Sequence, residues 1–353
     1  MSDKQDLVAK TRLLDESGWR NRLIELFTKW EVLLGVIFIL MVIYFSNLTP
    51  YFLDSFNLMN ASFQFSERAI MALPMIFIIM CGDIDISIAS IIALCAYAVG
   101  TASAAGVGTP GLLVIGLAVG AAAGLVNGLL ITGFNMPAIA VTLATQSIYR
   151  GIAQAALEER ALTSYPQGFG FFGQEFIPGT YIPFMLVLYL ALAVIMGFVL
   201  HKTAYGRRLY AIGSSPEAAR FTGIKVKQIR VMNYTLMGLF AGIAGILLTS
   251  RILSARSNIA LNWDLEVITL VVLGGVSING GKGTIYGVVV ASFLVGYLKF
   301  GMGLLRFSGT IMTIVIGTLL IIAVLLPRLL DTYKNNRKLK KQQLEAALNS
   351  AKA

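Results

Sequence analysis

Gly111 to Gly133 reads GLLVIGLAVGAAAGLVNGLLITG, without one charged residue and with a single amide, Asn127. A helix of this length, rising about 1.5 Å per residue, matches the roughly 30 Å hydrocarbon core of a bilayer. Gly116, Gly120, Gly124 and Gly128 recur every four residues and so form one flat face. That much glycine weakens a helix in water but suits one in lipid, where neighbouring helices approach backbone to backbone. A second such face, Gly238, Ala241, Gly242 and Gly245, lies in the apolar run 231–250. Both stripes are read as packing faces.

The rest of the chain extends the pattern. Of 353 residues, 57% are hydrophobic and 13% charged, with a mean hydropathy of +0.77. Soluble domains carry about 25% charged residues, so a bilayer rather than a soluble core accounts for this chain. Apolar runs near 30–45, 67–81, 86–105, 111–133, 138–157, 181–200, 231–250, 265–281, 284–304 and 308–327 predict an all-α polytopic membrane protein. That makes about ten transmembrane helices, the second of them short. Residues 1–29 read as a cytoplasmic leader without a cleavable signal pattern, 30–327 as the transmembrane domain and 328–353 as a basic tail.

Charge placement tests the orientation separately. Six Lys and Arg residues lie in 1–29, seven in the loop 201–230, seven in 328–353 and one at Lys282, so 21 of the 28 fall on the side assigned to the cytoplasm. Both termini are therefore expected in the cytoplasm. The net charge of +10 reports orientation and contact with anionic lipid, and nucleic-acid binding is not expected. Cys81 and Cys95 sit in apolar stretches and read as small buried hydrophobes. One histidine, His201, leaves no metal-ligand motif, and no metal or catalytic residue is expected. A membrane enzyme is poorly supported for the same reason.

The pattern breaks at Cys81-Gly82-Asp83-Ile84-Asp85-Ile86-Ser87-Ile88-Ala89-Ser90. Two carboxylates with no cation nearby in sequence interrupt an apolar region, where each charge would cost at least about 2.5 kcal/mol at mid-membrane depth. Either this is a short solvated turn, or it is a broken, partly re-entrant segment lining a cavity. The string Gly274-Gly275-Val276-Ser277-Ile278-Asn279 repeats the order of Gly82 to Ser87, a weak sign of an internal repeat. On the fifth run Thr142, Gln146 and Arg150 share a polar face that lipid would penalise.

Within the loop 201–230, Ser215-Pro216-Glu217-Ala218-Ala219-Arg220-Phe221-Thr222-Gly223 carries a complete helix grammar: Ser cap, Pro at the first position, Glu in the first turn, Gly as terminator. Two turns cannot hold together alone in water, so the helix needs a partner, and Ala218 and Ala219 offer it a low face. Gly280-Gly281-Lys282-Gly283-Thr284 lacks the first glycine of a phosphate loop, position 276 being Val, and has Gly where Ser or Thr should follow the lysine. ATP is not bound by that route.

Four ordered blocks then resemble the permease subunits of bacterial ABC importers for monosaccharides, the ribose, xylose, rhamnose and autoinducer-2 group. They are Gly82 to Ser87 with Ser90; Gly124-Leu125-Val126-Asn127-Gly128 with Pro137 to Leu143 and Tyr149-Arg150-Gly151; Gly206-Arg207 and Ala211 to Ile224; and Val272-Leu273-Gly274-Gly275 to Gly280-Gly281. The similarity covers about 35–327. Asp83 departs from it, standing where the family usually has a second Gly. Ser254-Ala255-Arg256-Ser257, His201-Lys202-Thr203 and Val295-Gly296-Tyr297-Leu298 look most like the autoinducer-2 or rhamnose permeases.

The resemblance implies a type II ABC importer permease in the bacterial inner membrane. Two permease chains, the same or different, would form the pathway. A cytosolic ABC ATPase would bind ATP and Mg, and a periplasmic or lipoprotein sugar-binding protein would deliver the solute; this chain would hold no cofactor. Glu217, Ala218, Ala219, Arg220 and Gly223 would couple to the ATPase, and the outside segment 158–180, with Glu158, Glu159, Arg160 and Glu175, would meet the binding protein. The expected substrate pathway is Asp83, Asp85, Asn127, Thr142, Gln146, Arg150, Arg256 and Asn258. An alternative from another class is a secondary transporter in which Asp83 and Asp85 bind and release the coupling ion.

Overall fold

The computed structural model describes residues 30–325 together with 342 and 343. The expected leader 1–29 and nearly all of the tail lie outside those residues. In chain order the helices are α1 Trp30–Leu48, α2 Ser55–Met80, α3 Ile88–Ala104, α4 Thr109–Gly133, α5 Ala138–Leu157, α6 Phe171–Gln174, α7 Phe184–Lys202, α8 Ala204–Ser214, α9 Pro216–Phe221, α10 Val226–Ile252, α11 Trp263–Leu273, α12 Ile285–Leu304 and α13 Gly309–Leu325. Among the described residues there is no β-strand, only two isolated bridges, Leu162 with Ala255 and Phe176 with Pro183.

By length and composition, α1, α2, α4, α7, α10 and α12 can each cross a membrane. The chain is a multi-pass membrane protein. Each of the ten expected segments contains a helix, but two were misjudged. The second is the long α2, which starts at Ser55 and is capped by the Asp54 carboxylate accepting from Asn57 N at 2.9 Å. Asn57, Asn60, Gln64 and Ser66 had concealed its first half, and Pro74 lies inside it without ending it. The eighth stops at Leu273, so 265–281 is a short helix followed by a loop.

α2 is the central post: Ala69 to Met80 are all buried, and α7, α10, α11 and α12 pack around it. The two small-residue stripes face each other. A β-carbon at Gly124 would land on the Tyr234 carbonyl, and one at Gly120 on the Gly238 carbonyl, so α4 and α10 touch through their backbones. Glycine is required there by the distance of approach, as the sequence led one to expect.

α2 and α11 end alike. Gly82 at φ +80° lets Asp83 N reach Ile78 O at 3.2 Å, and Gly275 at φ +86° lets Val276 N reach Val271 O at 3.2 Å. Each is a left-handed glycine terminator. The repeated string is thus structural, but Gly82 corresponds to Gly275, one residue along from the Gly274 that the sequence order pairs with it. The end of α2 also meets the loop that follows α11, Gly281 N donating to Met80 O at 3.0 Å.

Candidate functional site

Residues 82–87 are non-helical and carry the chain from α2 to α3. Asp83, Asp85 and Ser87 are buried, which excludes a solvated turn. The side chain of Asp85 is held locally: Ser87 donates to its Oδ1 from N at 2.9 Å and from Oγ at 2.6 Å. Ser87 Oγ in turn accepts from Asn127 Nδ2 at 2.8 Å, and the Tyr149 hydroxyl contacts Asn127 Oδ1 at 3.3 Å and Ala123 O at 3.1 Å. One polar chain thereby ties the break to α4 and α5. Thr142 Oγ1 donates to Ala138 O at 2.9 Å and lies 3.5 Å from Ile84 O. Asp85, Asn127 and Thr142 are each 0% exposed, so in this conformation they hold the break in place and face no open passage. Asp85 Oδ2 has no hydrogen-bond partner among the described residues.

Asp83 does have a cation, contrary to the sequence expectation: Arg230 Nε, from the second turn of α10, is 3.3 Å from Asp83 Oδ2. The partners are 147 positions apart, so no local pattern could pair them. Close by, Asn233 Nδ2 donates to Phe77 O at 3.3 Å, and the Tyr205 hydroxyl of α8 donates to Asn233 Oδ1 at 2.5 Å. The end of α2 is thus gripped from the loop side.

Arg150 is occupied by backbone. It donates to Ser257 O at 3.0 Å, Ile259 O at 2.7 Å and Ala89 O at 2.9 Å, fastening α5 to the start of α3 and to the loop after α10. Gln146, one turn earlier, is half-buried. Arg256 and Asn258 belong elsewhere, lining a cavity of about 340 Å³ with Ile252, Ser254 and Ile259. Ala255 pairs through both backbone bonds with Leu162, at 2.9 and 3.0 Å, so this cavity adjoins the 158–183 segment. There Glu158, Glu159, Arg160 and Glu175 are exposed. The eight expected pathway residues therefore divide into a buried group around the break and a pair at a cavity, with Arg150 bridging them through Ser257 and Ile259.

Helix α9 forms as its sequence grammar predicts. Ser215 Oγ accepts from Ala218 N at 3.3 Å, Pro216 opens the helix and Gly223 at φ +84° closes it. Glu217, Ala218, Arg220 and Gly223 are exposed, whereas Ala219 is 4% exposed and faces the chain's own body. Sequence reasoning passed over Phe221, which is 92% exposed on the open face. Its signal was an aromatic in a polar loop. Preceding α9, α8 is seated on the end of α2 and on the loop after α11: a β-carbon at Gly213 would land on Met80 O and Gly281 N. The Tyr210 hydroxyl donates to Gly283 O at 2.7 Å, and burial raises its pKa, so it remains a donor at physiological pH.

A partly buried ion cluster was also missed. Arg251 Nε is 2.7 Å from Glu67 Oε1, and Glu266 takes both Arg68 Nε and Lys299 Nζ at 2.8 Å, with Arg68 4.1 Å from the Trp263 ring centroid. Arg68, at the edge of the expected run 67–81, lies in the middle of α2. Among the described residues no group of three or more His, Cys, Asp or Glu is placed to hold a metal.

A bundle of apolar helices around a buried polar break, with α8 seated against the end of α2 and the capped α9 carried beyond it, defines a membrane permease. The chain belongs to the family described as branched-chain amino acid transport system / permease component, which matches residues 57–324. It is 38% identical over 291 residues to the ribose import permease protein RbsC of Bacillus subtilis (strain 168), covering 82% of this chain and 90% of that protein. It is 33% identical over 301 residues to the autoinducer 2 import system permease protein LsrD of Escherichia coli (strain K12), covering 84% and 91%. No solved structure matches the chain significantly. The chain is the permease component of a transport system.

Proposed function

We propose that this chain is the membrane subunit of an ATP-driven bacterial importer, sited in the inner membrane and carrying a monosaccharide or a similar small hydroxyl-rich signal of the ribose, rhamnose or autoinducer-2 class. The substrate class rests on the two relatives named for ribose and autoinducer 2. The observation that carries the coupling is α9: a capped helix with Glu217, Ala218, Arg220 and Phe221 exposed, joined through Gly213 to the end of α2. A cytosolic ATPase, binding ATP and Mg itself, docks there. Its movement displaces α8, and α8 cannot shift without moving Met80 and the 277–283 loop. The break 82–87 then reorients against α4 and α5, which is alternating access.

In this reading Asp83, Gln146, Arg256 and Asn258 meet solute during the cycle, and Asp85, Asn127, Thr142 and Arg150 set the wall that moves. The exposed carboxylates at 158–175 and the cavity at Arg256 form the landing site for a sugar-binding protein. A second permease chain, the same or different, completes the pathway. Arg230 beside Asp83 and the two Ser87 bonds on Asp85 leave no free carboxylate pair, which disfavours the ion-coupled alternative. The test is reconstitution in proteoliposomes: solute uptake requires the ATPase, ATP and the binding protein together. Uptake by this chain alone under a proton or sodium gradient would overturn the proposal.

A further inference from the structure

Between α2, α12 and α13, beside the end of α10, lies a cavity of about 600 Å³. Arg68, Arg251 and Lys299 line it, and none of them enters the transport reading above. Their charges do not balance: Glu67 takes Arg251, and the single Glu266 carboxylate is shared by Arg68 and Lys299. Three cations face two carboxylates, so one positive charge is unmatched within this cluster. In apolar surroundings an unmatched charge is costly and draws in a counter-charge. Arg68 and Lys299 remain 18% and 20% exposed, open to the cavity rather than sealed in the core.

The walls say which kind of anion fits. Phe65, Phe300 and Met312 supply apolar surface beside the cations, and α13, which closes one side, exposes Ile311, Ile314 and Ile321 on its outer face. That outer face suits acyl chains, and a basic pocket between membrane helices suits a lipid headgroup. We propose that this cavity is a binding site for an anionic phospholipid, with the phosphate against Lys299 and Arg68 and an acyl chain running between α12 and α13. A neutral lipid leaves the extra charge unmatched. A water-soluble anion gains nothing from the apolar walls.

The test uses the full chain in neutral detergent, incubated with phosphatidylglycerol and phosphatidylcholine at equal mole fraction, repurified, and its retained lipid counted by mass spectrometry. Phosphatidylglycerol is retained in preference. Lys299→Gln lowers that preference about fivefold, the effect of one basic residue near an anionic headgroup. Glu266→Gln, which removes a competing carboxylate, raises it, and Lys299→Arg keeps it. Lys227→Gln, the same charge loss at an exposed position away from the cavity, leaves it unchanged. Equal retention in Lys299→Gln and Lys227→Gln overturns the site, as does loss of retention in Glu266→Gln. Should Lys299→Gln fail to fold, the sign of the Glu266→Gln change decides. Inorganic phosphate in millimolar excess leaves retention unchanged; displacement by phosphate marks a free-anion site and refutes the lipid.

Discussion

Asp85 accepts two hydrogen bonds from Ser87 and, through that side chain, positions Asn127. Asp85→Asn keeps an acceptor and removes a buried charge, whereas Asp85→Ala strips both bonds, each worth about 1.5–3 kcal/mol when the acceptor is charged. Thermal unfolding of the purified chain in detergent should rank Asp85→Ala well below wild type and Asp85→Asn close to it. Asp83 makes a different case. Arg230→Met leaves its carboxylate buried and unpaired, at less than the about 3–5 kcal/mol of a fully buried pair because Arg230 is 28% exposed. Adding Asp83→Asn to that variant should restore most of the loss, and a double-mutant cycle measures the coupling. That these carboxylates were out of place was legible from hydropathy. Arg230 as a partner was not, since the contact joins the start of α10 to the end of α2.

At the scale of the element, α4 and α10 show how far local pattern reaches. Four-residue glycine spacing named both faces, and each stripe proved to be the other's partner. Gly124→Val must push a side chain into the Tyr234 carbonyl and Gly238, so it should cost more than the about 1–3 kcal/mol of ordinary overpacking. Gly151→Ala, with nothing within 4 Å of its new methyl, should leave the melting temperature within a degree or two of wild type or raise it, glycine being the poorer helix former. Helix α9 was equally legible from its caps, but its outward face was not: Ala219 turned inward and Phe221 outward. Phe221→Ala and Glu217→Lys should each lower ATP-driven uptake in reconstituted vesicles without changing membrane insertion or monodispersity. Normal uptake in both removes α9 from the docking surface.

Across the whole molecule, the decisive arrangement is the meeting of Met80, Gly213 and Gly281, where the end of α2, the last turn of α8 and the loop after α11 touch through backbone. Gly213→Val should separate ATP hydrolysis from uptake: the ATPase still binds and turns over, while transported solute per ATP falls. Unchanged stoichiometry would exclude this junction as the transmission path.

The amino-acid sequence by itself determined the class, most of the helical segments, the packing stripes and the capped loop helix, because composition, periodicity and capping are local properties read from neighbouring residues. It could not determine that the 82–87 break is buried, that Asp83 faces Arg230, that Arg150 is spent on carbonyls, or that three cations share two carboxylates beside a cavity. Those facts depend on which helices pack together. In a membrane, where apolar helices tolerate many neighbours, close backbone approach and buried polar pairs select the arrangement, and both exist only after the chain has folded.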